Sequence, residues 1–290
     1  MLIKWAKHLC LSKQPKAPNQ SLRLGTGQAK YMSIKITTEL IKELRDTTGI
    51  SVMQCRRALE EAEGDMKKAL AILKKTSSDI AEKKVGREVK DGRVMIAKED
   101  KKVVLVSLHC ETDFVSRNED FVTLLASLTD KALKDGAAKM KEGAKEMINA
   151  VIQKTGENIQ LGEIYEVTGD VIGGYVHNNK TAVIVSLEGG DENLAKDVAM
   201  HITAMKPEYM SPDEVNEDAR KTIEEIFQKE VAQIEKPEEI KKKMLSGKIA
   251  TYFKEKTLLD QPFIKDGEMT VGQLLEKNKA KIKEVKRYSI

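Results

Sequence analysis

The chain has 290 residues, 40% hydrophobic and 33% charged, enough for two or three modest domains with cores of their own. No apolar run approaches the ~18 residues that a membrane-spanning helix needs, and three widely spaced cysteines (Cys10, Cys55 and Cys110) with no CxxC pair indicate neither a disulfide framework nor a structural zinc site. The net charge of +4 is unevenly placed: seven Lys and Arg and no acid lie in residues 1–38, so the remainder is slightly acidic, unlike a nucleic-acid binder, whose basic excess sits on its folded body.

Residues 1–32 read as a disordered leader. Pro15, Pro18, Gly25 and Gly27 break any periodicity. The segment is either a dispensable extension, which leaves the protein cytoplasmic, or an acid-poor targeting presequence, which sends it to a mitochondrion or plastid. Of its six basic residues only Arg23 is an arginine, whereas transit peptides favour arginine, and Lys4, Lys7 and His8 interrupt the apolar core of a secretory signal.

Residues 33–76 read as a small three-helix, UBA-like bundle. Thr37 or Thr38 caps a helix carrying Leu40, Ile41 and Leu44, which stops at Thr48-Gly49, where glycine suits a left-handed helix end. A second helix from Ser51 to Ala62 carries Val52, Cys55, Ala58 and Leu59. Gly64-Asp65 separates it from a third with Met66, Ala69, Leu70 and Leu73. A bundle of about 40 residues has a marginal core and suits docking. Val52 and Met53 are either core residues or a surface exposed for a partner, to which methionine adapts well.

Polar residues 77–92 read as a linker to two related α+β subdomains, 93–160 and 161–290. The first shows a hairpin (Arg93–Ala97 and Val103–Leu108) and a helix from about Asn118 to Leu133. The second shows strands near Glu163–Val167, Val171–Val176 and Ala182–Leu187 and a helix from Glu192 to Met205. Val104-Leu105-Val106-Ser107-Leu108 matches Val183-Ile184-Val185-Ser186-Leu187, both buried-strand runs. The first copy has a longer strand-to-helix connection, Glu111-Thr112-Asp113-Phe114-Val115-Ser116-Arg117, and a loop longer than its scaffold requires points to function. Phe114 and Val115 either tuck back onto their own core or present an aromatic anchor to a partner, with Asp113 able to accept a hydrogen bond from it.

Ser211-Pro212-Asp213-Glu214 carries a helix-start signature. The narrow stripe Val215, Ala219, Ile223, Ile226, Phe227 and Ile234, then Ile240, Met244, Ile249 and Phe253 after Pro237, predicts a protruding antiparallel coiled-coil hairpin at about 212–256. Catalytic chemistry is hard to find. His109 and Cys110 are adjacent in a strand and point to opposite faces. His201 falls on the apolar side of its helix, and His177 sits at an exposed hairpin tip. No Walker, Rossmann, GxSxG or HExxH pattern occurs. The residues alone therefore describe a multi-domain docking protein.

Three stretches resemble the elongation factor Ts family. They are Leu44-Arg45 to Thr48-Gly49 followed by Met53-Gln54-Cys55-Arg56-Arg57-Ala58-Leu59; Cys110 to Asn118; and Gln261-Pro262-Phe263 with Thr270-Val271-Gly272-Gln273-Leu274-Leu275. The resemblance covers nearly all of 34–290. Val52 and Gln54 stand where the family usually has Met and Asp, and some longer members carry a further helical module beyond the position of Ile290. The resemblance implies a guanine-nucleotide exchange factor, without bond-making catalysis and without a cofactor of its own, that binds elongation factor Tu in its GDP-bound and nucleotide-free forms. It implies no direct contact with nucleic acid or membrane, and a Tu–Ts heterodimer or a dimer of such pairs. Asp113 and Phe114 would then insert between helices of the nucleotide domain of Tu and disturb its magnesium and phosphate sites, with Thr112 and Val115 beside them among the residues that bind Tu. Arg45, Val52 and Met53 would grip the same domain, and His177 would face a β domain.

Overall fold

The computed structural model describes residues 36–290; the leader expected at 1–32 lies outside them. Local capping sets the first three helices. Helix α1 (Thr38–Thr48) starts where the Thr37 side chain accepts from Leu40 N–H and stops at left-handed Gly49. Helix α2 (Val52–Glu61) is capped by Ser51, and α3 (Met66–Glu82) by Asp65, whose carboxylate accepts from the N–H groups of Lys67 and Lys68. Leu44, Cys55, Leu59, Ala69 and Leu73 close the bundle. Full burial of a leucine such as Leu44 or Leu59 contributes about 2 kcal/mol.

The expected linker at 77–92 is corrected in its first part. Helix α3 continues through Glu82, with Ser77 and Ala81 buried. Ala81 belongs to the next core rather than to the bundle. Leu73, Ser77, Ile80 and Ala81 share one helical side, but the polar residues among them hide the stripe.

Strands β1 (Asp91–Glu99) and β2 (Lys102–Cys110) form a hairpin. A one-turn helix α4 (Asp113–Arg117) leads into α5 (Glu119–Asp135), then α6 (Ala137–Thr155) and β3 (Ile159–Thr168). Strand β3 pairs antiparallel with β2, giving the order β1-β2-β3. The strand expected near Glu163–Val167 therefore belongs to the first sheet, and the expected boundary at 160/161 cuts through it. Strand periodicity identifies a strand but not its neighbour.

The second unit repeats the plan. Strands β4 (Val171–His177) and β5 (Thr181–Glu188) form a hairpin, α7 (Glu192–Met205) follows, and β8 (Lys281–Ser289) returns beside β5 to give the order β4-β5-β8. Between α7 and β8 come α8 (Glu217–Ala232), α9 (Glu238–Lys256), the short pair β6 (Pro262–Phe263) and β7 (Asp266–Thr270), and α10 (Val271–Lys277).

Alternation along the strands builds a four-layer stack. Val104, Val106, Leu108 and Cys110 face α5 and α6. Val103 and Leu105, from the same strand, face Ile172, Ala182 and Ile184 of the second sheet. Val183, Val185 and Leu187 turn outward onto Leu194, Val198 and Ile202 of α7. The centre is thus sheet against sheet, with the first sheet covered outside by α5 and α6 and the second by α7.

Helices α8 and α9 pair antiparallel. Phe227 meets Tyr252 edge to face at 5.8 Å between centroids, and Lys248 pairs with Glu230 at 2.7 Å. The hairpin is tied at its base, where Tyr209 packs on Phe253 and forms a bridge to Thr257. Its first helix starts later than the Ser211-Pro212 signature predicts. Pro212–Glu214 is a single 3-10 turn, and α8 begins after Asn216, whose side chain accepts from Ala219 N–H at 2.7 Å.

Candidate functional site

The β2–β3 ladder ends at the pair Cys110 and Ile159, but side chains continue it by two residues. Glu111 Oε1 accepts from Asn158 N–H at 2.6 Å. In the opposite sense, Glu157 accepts from Thr112 N–H at 3.0 Å and from the Thr112 hydroxyl at 2.7 Å. The same hydroxyl accepts from Val115 N–H at 3.4 Å, which caps α4. Asn158 is buried, and its amide donates to Arg87 O at 2.7 Å. The Cys110 thiol donates to Thr112 O at 3.1 Å. Burial first, then the charges of Asp91 and Glu157, push this thiol up to about 12, so it stays protonated and serves as a donor rather than a nucleophile.

At ~100° per residue, one helical turn can place two consecutive side chains on its inner side and the one before them on its outer side. Val115 and Ser116 therefore point inward and are buried, while Phe114 is 82% exposed. This corrects the placement of Val115 among surface contacts: it packs in the first core with Phe121 and Leu124. Asp113 is half-exposed and pairs with Arg117 at 3.1 Å. Such an exposed pair one turn apart adds little stability.

The end of α6 joins this turn to the helical bundle. Gln153 Nε2 donates to Gln54 Oε1 at 3.1 Å, and Lys154 pairs with Asp120 at 2.5 Å while its stem lies against Gly49. The first turn of α2, with Val52 and Met53 at 47% and 57% exposure, is thereby held beside the segment that leads to Glu157. Arg45 is exposed one turn before Gly49, whose N–H donates to the Arg45 carbonyl.

His177 ends β4 at a tight turn whose residues Asn178 and Asn179 take the left-handed conformations of a hairpin. Its ring is exposed, with Nδ1 3.3 Å from the Tyr175 hydroxyl. The turn is anchored to the first sheet: Lys180 Nζ reaches Asp91 at 2.6 Å and Gly92 O at 2.7 Å, and Val94 N–H donates to Asn179 O. Asp91 pairs with Cys110, so the tip lies at the same end of the sandwich as the 111–118 connection. The structure brings Arg45, Val52, Met53, Thr112, Asp113, Phe114 and His177 to this end through one chain of contacts. It also adds Gln153, Glu157 and Asn158, which sequence reasoning missed. Their signal is modest: a glycine closing a helix, followed by a carboxylate and an amide.

The other two histidines among the described residues are structural. His201 is buried, with Nε2 bonded to Gln261 Oε1 at 2.8 Å and Nδ1 accepting from Ile264 N–H at 3.2 Å. His109 Nε2 lies 2.8 Å from the Tyr288 hydroxyl across the two sheets. No group of three or more His, Cys, Asp or Glu suited to a metal ion occurs among the described residues. An open groove of about 1120 Å³ beside β8 and α10 contains none of the expected site residues.

The family model described as "Elongation factor TS" matches residues 111–290, and one described as "UBA-like domain" matches residues 37–73. Elongation factor Ts of Hahella chejuensis is 40% identical over 262 residues, covering 88% of this chain and 92% of that protein. Elongation factor Ts of Cellvibrio japonicus is 41% identical over 262 residues, covering 88% and 90%. Elongation factor Ts of Thioalkalivibrio sulfidiphilus is 38% identical over 269 residues, covering 88% and 92%.

Proposed function

The chain belongs to the elongation factor Ts family, and on that premise we propose that it binds GDP-bound elongation factor Tu and accelerates release of the nucleotide during translation elongation. Phe114 carries the reading. A phenylalanine 82% exposed on a one-turn helix forgoes about 2–3 kcal/mol of burial, and it recovers that on entering a partner. Asp113 beside it supplies an acceptor. In this reading the pair inserts between helices of the Tu nucleotide domain, and the shift disturbs the magnesium and phosphate sites that hold GDP. The magnesium and the nucleotide belong to Tu.

Arg45, Val52 and Met53 grip the same domain, and His177 meets a β domain. Thr112 sets the geometry of the turn, and Val115 anchors it from inside. Exchange is then negative linkage. The protein weakens GDP binding to Tu by the same factor by which GDP weakens its own binding, and neither effect requires a bond to be made or broken. The working place is the cytoplasm, where Tu is met.

The test is release of a fluorescent GDP analogue from purified elongation factor Tu, with and without the protein. Strong acceleration that disappears in the Asp113→Ala/Phe114→Ala double variant supports the reading. No acceleration with Tu of the matching organism sinks it.

A further inference from the structure

We infer that Glu157 is the positioning residue of the exchange turn: its carboxylate fixes Thr112, and through Thr112 the one-turn helix that presents Phe114. The inference rests on the exchange reading above and assigns a residue to it that touches no partner itself.

The geometry is specific. Beyond Cys110 the β2–β3 ladder has no further main-chain pair, so Thr112 N–H would be left without a strand acceptor. One Glu157 oxygen takes that N–H at 3.0 Å, and the other takes the Thr112 hydroxyl proton at 2.7 Å. With its proton committed, the hydroxyl keeps a lone pair for Val115 N–H at 3.4 Å, the bond that starts α4. Glu157 therefore orients the helix cap itself. Charge-assisted bonds of this kind are about twice as strong as neutral ones. Glu157 is in turn held from behind by left-handed Gly156, whose N–H closes α6 on Ile152 O at 2.9 Å, and from ahead by buried Asn158.

The second unit shows what happens where no exposed turn has to be presented. Leu187 pairs with Ile282 as Leu108 pairs with Leu161. Counting outward from those pairs, Asn278 stands at the place of Glu157 and Asp191 at the place of Thr112. There two left-handed glycines lead straight to Asp191, whose own carboxylate caps α7 by accepting from Leu194 N–H.

Amide hydrogen exchange and GDP release, both on the full chain, test the assignment. Glu157→Ala is expected to speed amide exchange in 111–118 about tenfold, with β1, β2 and β5 unchanged. In the same variant the maximal rate of GDP release from elongation factor Tu falls about tenfold, while the half-saturating concentration moves less than about threefold. Glu157→Gln, which keeps an acceptor oxygen, recovers most of both effects. Unaltered amide exchange in 111–118 overturns the assignment, as does loosening of 111–118 with undiminished GDP release. Faster exchange spread across the sheets, or a Gln variant no better than Ala, reduces Glu157 to a general structural residue and overturns it as well. Failure of the underlying reading looks different: the unmodified chain itself leaves GDP release unaccelerated.

Discussion

The two units turn from sheet to helix by different means. In the second, β5 ends at Glu188 and α7 begins at Glu192, with Gly189 and Gly190 both left-handed between them. In the first, β2 ends at Cys110 and α5 begins at Glu119, and the longer path holds α4. The short turn is what packing a helix on its sheet requires. The long one adds a buried foot, Val115 and Ser116, under an exposed phenylalanine, and recruits Glu111, Glu157 and Asn158 to keep it in place. A surface group that the scaffold does not need, held by its own set of bonds, is arranged for a partner.

Two phenylalanines seven positions apart sharpen this contrast most. Phe121 is fully buried in the first core, so Phe121→Ala should cost about 3–5 kcal/mol in urea unfolding. Phe114→Ala should change stability by less than about 0.5 kcal/mol, yet slow GDP release about 30-fold, a loss of ~2 kcal/mol. If circular dichroism shows the Phe114 variant unfolded, the residue belongs to the core and the contrast collapses.

The glycines provide a smaller effect. Gly189 has φ +77, and a methyl group there would stand 2.3 Å from Lys279 O, so Gly189→Ala should destabilise the protein by about 2–4 kcal/mol without altering GDP release per folded molecule. Gly156 has the same φ with open space around it, so its alanine variant should cost only about 1–2 kcal/mol by the same measurement.

The smallest effect is that of pH. His109 in the first unit lies below the ordinary imidazole range because burial disfavours its charged form and Lys180 repels it. His201 in the second is lowered by burial, partly offset by its bond to Gln261. Both groups take up protons at lower pH when folded than when unfolded. Their contribution is therefore full above the unfolded value of about 6.5 and is lost as pH falls through it towards the folded values. The urea midpoint should drop between about pH 7.5 and about pH 5.5, and drop less in His109→Gln. An equal drop in that variant would remove His109 from the account.

Much of this was legible in the sequence because it is local. Thr37, Ser51, Asp65 and Gly49 act as caps where their types suggest, and the matched runs at 104–108 and 183–187 are the two central strands. The unequal connections could be measured by counting. What escaped depends on partners distant in sequence. The pairing of β3 with β2, and the return of β8 beside β5, leave no mark in either strand alone. Helix α6 is poorly marked in the sequence because alanine, lysine and Gly143 dilute its stripe of Met140, Ala144, Ile148 and Ile152. The inward side of α4 is fixed by the direction of one turn, which periodicity is too short to reveal. Glu157 acts where a main-chain acceptor would otherwise stand, and a side chain in that role has no repeating pattern.

The late return of β8 bears on how the molecule is made. The first sheet closes once Ile159–Thr168 has been synthesised, because all its strands lie within one stretch. The second must wait while about 90 residues follow Glu188 before Lys281 emerges, roughly 5–20 s at ~5–20 residues per second. Through that interval β5 carries Val183, Val185 and Leu187 along an unpaired edge, the kind of edge that recruits stray strands. The first unit, already complete, offers its inner face of Val103 and Leu105 to the other side of β5. That contact covers one face of β5 but leaves its edge open until β8 pairs with it.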